Sequence, residues 1–394
     1  MQKRILITNG SYTDIPLIKA YKEMGLYVIT SGNNPSLLGH KYADEYVPHD
    51  YSDYKGMLKI AEQLNIDYVS PCANDFGSIT AAYIAENLGL PGNDTFENAR
   101  LIGEKDRFKT FAQANNLQVI PSARFDSEED AFQFALRSEY PIIIKPTDLS
   151  GGKGVARADS FAEAKNAITK AFACSKAKHI VIEPFIEGIA QSVMTFLLDG
   201  KVVSCMSYNE YPSPHSPYLV GSASSPIFGY HEIAPIVFEQ IEKLASLRKL
   251  KDGIFHAQYR VKDGKPLIME CMRRCLGNYA LLQARITTGF EWEKWIAKAF
   301  CGMDCSDIPR KLSDFNWSGE FYIQAPHNGV VKSVSLSDKL KPYIDSKIMQ
   351  WEPGMRVEHF ETEMLGFVLL RFPDEKMVNT VMNNMYDYIM IEME

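Results

Sequence analysis

Two stretches of this chain combine residue types and spacings that can do chemistry. The first is Pro141-Ile-Ile-Ile-Lys145-Pro-Thr-Asp-Leu-Ser150-Gly151-Gly152-Lys153-Gly-Val155. Its apolar run reads as a buried strand that ends at Lys145, with Pro146 stopping it. A loop of three glycines with a second lysine follows, and Val155-Ala-Arg-Ala leads out as another extended run. Glycines let backbone N–H groups approach an anion closely and lysines add point charges, so phosphate is the natural ligand. Neither Ser nor Thr follows Lys153 and the exit is a strand rather than a helix, which sets the loop apart from a Walker motif. Strand, glycine-rich loop and strand describe a flap able to fold over a nucleotide.

The second stretch runs from Gly253 to Arg274, with Asp263-Gly264 signalling a hairpin between two alternating runs. Its register decides what the residues can do. A two-residue Asp263-Gly264 turn would put Gln258 and Glu270 on opposite faces. A three-residue loop, Lys262 to Gly264 with a left-handed Gly264 bulge, puts Glu270 opposite His256 and diagonal to Gln258, and is the expectation here. Period two then adds Met272 and Arg274 to that face. A buried face of Gln, Glu and Arg is costly unless it serves a ligand. Oxygens from Gln258 and Glu270 suit magnesium (or manganese), which takes few protein ligands and lets phosphates supply the rest. Arg274 offers a planar fork for a carboxylate or a phosphoryl group in transfer.

The elements that must position these groups follow from patterning. Arg4-Ile-Leu-Ile-Thr8, Leu26-Tyr-Val-Ile-Thr30 and Asp67-Tyr-Val-Ser70 alternate with helical patterns, so the first 95 or so residues form a parallel, doubly wound sheet. The first loop carries one glycine where a dinucleotide fingerprint needs three, which argues against hydride chemistry. Asp14 and Asn74-Asp75 read first as helix caps, and Asn74-Asp75 also as a segment that could face substrate. A charged helix, Glu97 to Asn115, carries Lys105. His179-Ile-Val-Ile-Glu183-Pro-Phe185-Ile186-Glu187-Gly188 is a strand that stays extended past a proline. Such a segment can offer one carbonyl and one N–H to an adenine edge. The Ser204–Tyr230 stretch, rich in proline and serine, reads as a long loop beside the site.

Composition bounds the rest. The chain of 394 residues is 46% hydrophobic and can bury two or three cores. A net charge of −7 gives no footprint for nucleic acid, and neither a signal peptide nor an 18-residue apolar span is visible, so no membrane partner is expected. Seven cysteines, an odd number, suit a reducing cytoplasm better than a disulfide framework. The CxxxC pairs Cys271/Cys275 and Cys301/Cys305 raise zinc, but no histidine reinforces either pair.

Taken in order, Lys105, Lys145 with its Gly-Gly-Lys-Gly flap, Glu183-Pro-Phe-Ile-Glu-Gly, Gln258, Glu270 and Arg274 resemble the ATP-grasp superfamily over about residues 1–300. The chain looks closest to carboxylate–amine ligases of the amino-acid-ligase type, with kinship to carbamoyl-phosphate synthase and biotin carboxylase. The resemblance implies an α/β and α+β architecture. It has a pre-ATP-grasp domain over 1–95, an ATP-grasp domain over 96–310 whose lid spans about 112–185, and a C-terminal α+β lobe over 311–394. It also implies roles. Lys105 and Lys145 would hold ATP phosphates, covered by Ser150, Gly151, Gly152, Lys153 and Val155. Glu183 and the backbone of Phe185 and Ile186 would bind adenosine, with Gln191 near the ribose. Gln258 and Glu270 would hold magnesium, and Arg274 would steady an acyl phosphate. Three departures accompany it: Met272 where many relatives have Asn, Gln191 where a Glu usually meets ribose, and Arg274-Cys-Leu-Gly277-Asn278 in place of a glycine run.

The expected reaction transfers the terminal phosphoryl group of ATP to a small-molecule carboxylate, and an amine then attacks the acyl phosphate. His256, on the metal face, is the candidate general base, a structural strand histidine being the other reading. The alternatives are a carboxylating or carbamoyl-phosphate-forming enzyme, and a nucleotide-binding protein without turnover. The C-terminal lobe is expected to buttress the acceptor pocket or a homodimer interface.

Overall fold

The computed structural model describes residues 2–149, 154–361 and 363–394. The four loop residues Ser150, Gly151, Gly152 and Lys153, expected to cover phosphate, lie outside the described residues.

The N-terminal strands form a parallel sheet in the order Glu45–Pro48, Tyr27–Gly32, Arg4–Ile7, Tyr68–Ser70. Both faces are covered, which is why these strands read as continuous apolar runs: Leu6, Ile29 and Val69 enter one core and Ile5, Ile7 and Val28 another. The lysine strand lies in a four-stranded antiparallel sheet ordered Ala123–Phe125, Ile180–Pro184, Ile142–Pro146, Ala156–Ala158. Ile142, Ile144, Ile180 and Ile182 pack on helices Glu128–Leu136 and Phe161–Cys174. Alternation therefore turns Lys145 and Glu183 to the other face.

An eight-stranded antiparallel sheet forms the centre of the fold. Its order is Lys265–Met272, Gly253–Lys262, Ala190–Leu198, Lys201–Ser213, Ser216–Ser225, Trp317–Ile323, Gly366–Phe372, Ile344–Met349. One face buries Val193, Leu197, Phe255 and Ala257 against the helix Tyr230–Arg248. The C-terminal lobe is thus joined to the rest by backbone pairing, because Trp317–Ile323 hydrogen-bonds along Ser216–Ser225. A smaller sheet of Arg356–Val357, Gly329–Leu336 and Ile389–Met393 completes it.

Three local expectations change. The charged helix is two helices, Phe96–Gly103 and Lys105–Ala114, broken at Glu104, whose extended backbone caps the second. The expected loop between Ser204 and Tyr230 is a hairpin of two long strands turning at Pro214-His215. Pro212 sits where the ladder slips, so its missing donor is tolerated, and Ser222 to Ser225 are buried core positions. The third change is the register of the polar hairpin. Lys262 pairs with Lys265, so the turn is the two-residue Asp263-Gly264, with φ of 52° and 73°.

Candidate functional site

That two-residue turn alone would separate Gln258 from Glu270. The ladder slips between Gln258 and Tyr259, leaving Met269 as an extra residue, and Gln258 then lies directly opposite Glu270, with His256 opposite Met272. The expected common face exists, but a bulge within the strand creates it and not the three-residue loop. His256, Gln258, Glu270, Met272 and Arg274 line one cavity of about 260 Å³, together with Glu210.

Lys105, at the first position of its helix, places Nζ 3.1 Å from Glu270 Oε2. Burial works against the charge on Glu270, but Lys105 outweighs it and holds the carboxyl at about 2. One helical turn on, Lys109 is 4% exposed and donates to the carbonyls of Ile120 and Ile268 at 3.1 Å each. Its Nζ is also 3.3 Å from Glu183 Oε1, and Lys145 Nζ meets Glu183 Oε2 at 2.6 Å. Burial opposes the charge on Glu183, yet Lys145 and then Lys109 keep its carboxyl below the ordinary range, while burial pulls Lys109 down. Lys105, Lys109 and Lys145 thus form a cationic row between the lysine sheet and the metal-suited face, threaded by Glu183 and Glu270.

Arg274 lies just past the end of its strand. Its Nε donates to Asp75 Oδ1 at 2.6 Å and its Nη1 to the Cys275 carbonyl at 2.9 Å. Asn74 caps its helix as expected, accepting from Phe76 N–H, while Asp75 brings the N-terminal sheet's helix onto the catalytic arginine candidate. Asp14 is buried, bound by the N–H groups of Ser11 and Ala73. His256 is 1% exposed and neither ring nitrogen meets a partner among the described residues. Burial, and then the charge of Arg274, lower it to about 3, so it is neutral and a poor proton acceptor at pH 7.

In the adenine-type segment, Phe185 gives its N–H to the Pro141 carbonyl at 3.0 Å. The Arg157 guanidinium lies 4.4 Å from the Phe185 ring centroid, and Val155 is half-buried nearby in chain order. Gln191 requires a correction. Ser192 is the residue opposite Gln258, so Gln191 points to the other face of the sheet, where its Nε2 donates to Asn209 Oδ1 at 3.1 Å and the Phe228 carbonyl at 3.3 Å. It does not join the cavity.

Sequence reading missed Lys109 and Glu210. Lys109 follows Lys105 at helical spacing, which would have placed both on one face. Met206, Tyr208 and Glu210 alternate along one strand, a pattern hidden when the stretch is read as a loop. Glu210 accepts Ser192 Oγ at 2.6 Å and Gln258 Nε2 at 3.1 and 3.0 Å.

A lysine-bearing four-stranded sheet closing toward a central antiparallel sheet that carries Gln, Glu and Arg is the ATP-grasp architecture. The chain belongs to the family described as carbamoyl-phosphate synthase L chain, ATP binding domain, which matches residues 104–304. It is 24% identical over 344 residues, 84% of this chain, to the carbamoyl phosphate synthase large chain, C-terminal section, of Methanocaldococcus jannaschii, of which the match covers 54%. The chain spans about half the length, or less, of the curated relatives it matches. Among solved structures it is similar in fold to L-amino acid ligase from Bacillus licheniformis, with a TM-score of 0.82, 19% identity, and 100% and 99% of the two chains covered. It is likewise similar to the biotin carboxylase domain of Hydrogenobacter thermophilus 2-oxoglutarate carboxylase, solved as a dimer with MgADP and bicarbonate, with a TM-score of 0.78, 16% identity, and 100% and 91% covered. Among the described residues, no helix is long and apolar enough to cross a membrane.

Proposed function

We propose that this chain is an ATP-dependent ligase that joins a small-molecule carboxylate to an amine through an acyl phosphate, releasing ADP and phosphate. The observation that carries the reading is a cavity lined by Gln258, Glu270 and Arg274, with Lys105 paired to its Glu270 and Lys109 and Lys145 paired to Glu183 beyond. Family membership and the ligases and carboxylases of like fold support it.

The donor set fits magnesium: one ionised carboxylate and one amide oxygen, both hard, at the edge of a cavity with room for phosphate oxygens. Bound there by Gln258 and Glu270, the ion would neutralise charge developing on the phosphates. Lys105 and Lys145 hold the phosphate oxygens, each exchanging a carboxylate partner for a phosphate. Glu183, expected to bind adenosine, is buried with one oxygen on Lys109 and the other on Lys145, so it orders those lysines instead, while the backbone at Phe185 and Ile186 receives adenine.

Chemistry here is mostly positioning and electrostatics. The P–O bond to ADP breaks as a carboxylate oxygen takes the phosphoryl group, with Arg274, held at Nε by Asp75 and at Nη1 by the Cys275 carbonyl, presenting its other N–H groups to the acyl phosphate. The amine nitrogen then attacks the acyl carbon, phosphate leaves, and the nitrogen loses a proton. Neutral His256 serves as a hydrogen-bonding wall of the cavity, and phosphate itself is a suitable proton carrier. By resemblance, the segment 150–155, mostly outside the described residues, would supply the cover that excludes water from the intermediate. The chain works in the cytoplasm, and a homodimer through the C-terminal lobe is consistent with the reading.

Phosphate release with a panel of carboxylates and amines tests this. Release requiring both supports ligation. Release that depends on bicarbonate, or nucleotide binding with no release on any pair, overturns it.

A further inference from the structure

We propose that Glu210 is a positioning residue that sets the rotamer of the Gln258 amide, and so decides whether the ligand pair Gln258 and Glu270 can bind a divalent ion. The inference rests on the reading of those two residues as the metal ligands. Across the central sheet Glu270, Gln258 and Ser192 lie opposite one another, and Glu210, two residues beyond Ser192's partner Tyr208, lies diagonally on the same face. Glu210 and Gln258 are therefore separated by a whole strand, about 9–10 Å of backbone. Ser192 between them is small enough to lie beneath both long side chains, and its hydroxyl donates to Glu210 Oε1 at 2.6 Å.

Burial raises the Glu210 carboxyl, while the Ser192 hydroxyl and the Gln258 amide favour its ionised form, whose oxygens only accept; the amide group facing it is then the NH₂, at 3.1 and 3.0 Å from the two oxygens. The carbonyl oxygen of Gln258 is thereby turned away from Glu210, toward the strand that carries Glu270. Without that restraint the NH₂ group has one other strong acceptor within its reach across the ladder, the carboxylate of Glu270. An amide rotated that way would present a donor where a cation needs an oxygen, and would occupy Glu270 as well. Glu210 is 8% exposed, and the sequence places Met at 272, so no other amide or acid on that strand end substitutes for the missing oxygen.

The test is the apparent Mn²⁺ affinity of the full chain saturated with a non-hydrolysable ATP analogue, read by electron paramagnetic resonance. Glu210→Met removes both acceptors at similar volume, and is expected to weaken Mn²⁺ binding by about tenfold or more. In a Gln258→Glu chain the carboxylate introduced has two equivalent oxygens, nothing to orient and a like charge beside it in Glu210, so adding Glu210→Met there should leave Mn²⁺ affinity unchanged or higher, not lower. An equal loss in both backgrounds is what a merely structural role would produce, and it overturns the inference. So does an unchanged affinity in Glu210→Met while Glu270→Ala abolishes binding. Retention of binding in Glu270→Ala refutes the metal site itself, and is thereby told apart from failure of the positioning role.

Discussion

Replacing Glu183 with Gln should destabilise the chain by roughly 3 kcal/mol, because it strands two ammonium groups that share one buried carboxylate. Glu183 is 3% exposed and Lys109 4%, and the pair is supplemented by Lys145 at 2.6 Å. Removing one partner of a buried ion pair typically costs ~3–5 kcal/mol. Lys109 keeps two carbonyl acceptors, and the Lys145 side chain, 20% exposed, can turn toward water, which places the expectation at the lower end. The same logic predicts strong coupling. Lys109→Met added to Glu183→Leu removes both buried charges and should recover about 2 kcal/mol relative to Glu183→Leu alone. Urea unfolding at pH 7 measures both. The sign of the pH dependence is set by Glu183, whose folded-state carboxyl lies below its ordinary 4.5. Its contribution is complete above that value and disappears as the pH falls through the folded-state value, so wild type and variant should converge in acid. A loss under ~1 kcal/mol for Glu183→Gln at pH 7, or simple additivity with Lys109→Met, would refute the buried-cluster argument.

Lys105→Met removes the charged donor proposed to meet the phosphates and should weaken a non-hydrolysable ATP analogue by ~10–100-fold in calorimetric titration, an unchanged affinity counting against the site. Gln191→Ala, on the far face of the sheet, should leave that affinity within about twofold while costing ~1–2 kcal/mol of stability through the lost bonds to Asn209 and Phe228. Glu320 is buried, accepts from Tyr279 N–H, and burial raises it from 4.5 to about 8. Between those values the folded chain binds more protons than the unfolded one, so stability falls as pH rises. Glu320→Gln should abolish that slope, with an advantage at about pH 8 bounded at roughly 5 kcal/mol and none below about pH 4.5. Parallel stability–pH curves for the two chains would dismiss the shift.

Much of the candidate site was legible because period two and period 3.6 are local. Lys145 falls on the polar side of Ile142–Pro146 since alternate isoleucines must enter the helix-covered core. Gln258 with His256, and Glu270 with Arg274, share a face within their own segments for the same reason. Lys109 and Glu210 were unread although the same periods contain them, the first because one lysine on a charged helix looks solvated, the second because prolines disguised a strand. Gln191, expected near the ribose, lies on the face opposite Gln258, because the register puts Ser192 across from Gln258 and neighbouring residues of a strand point to opposite faces.

Composition and alternation by themselves determined the parallel first sheet, the lysine strand, and the polar faces of the later hairpin. They could do so because a side chain's direction along its own element follows from backbone geometry alone. Pairing between elements depends instead on turns, bulges and partners far away in the chain. The extra residue at Met269, the salt bridge from Asp75 to Arg274, the reach of Glu210 over Ser192 and the continuation of the central sheet into Trp317–Ile323 were therefore decided only when the tertiary fold brought those strands and helices together.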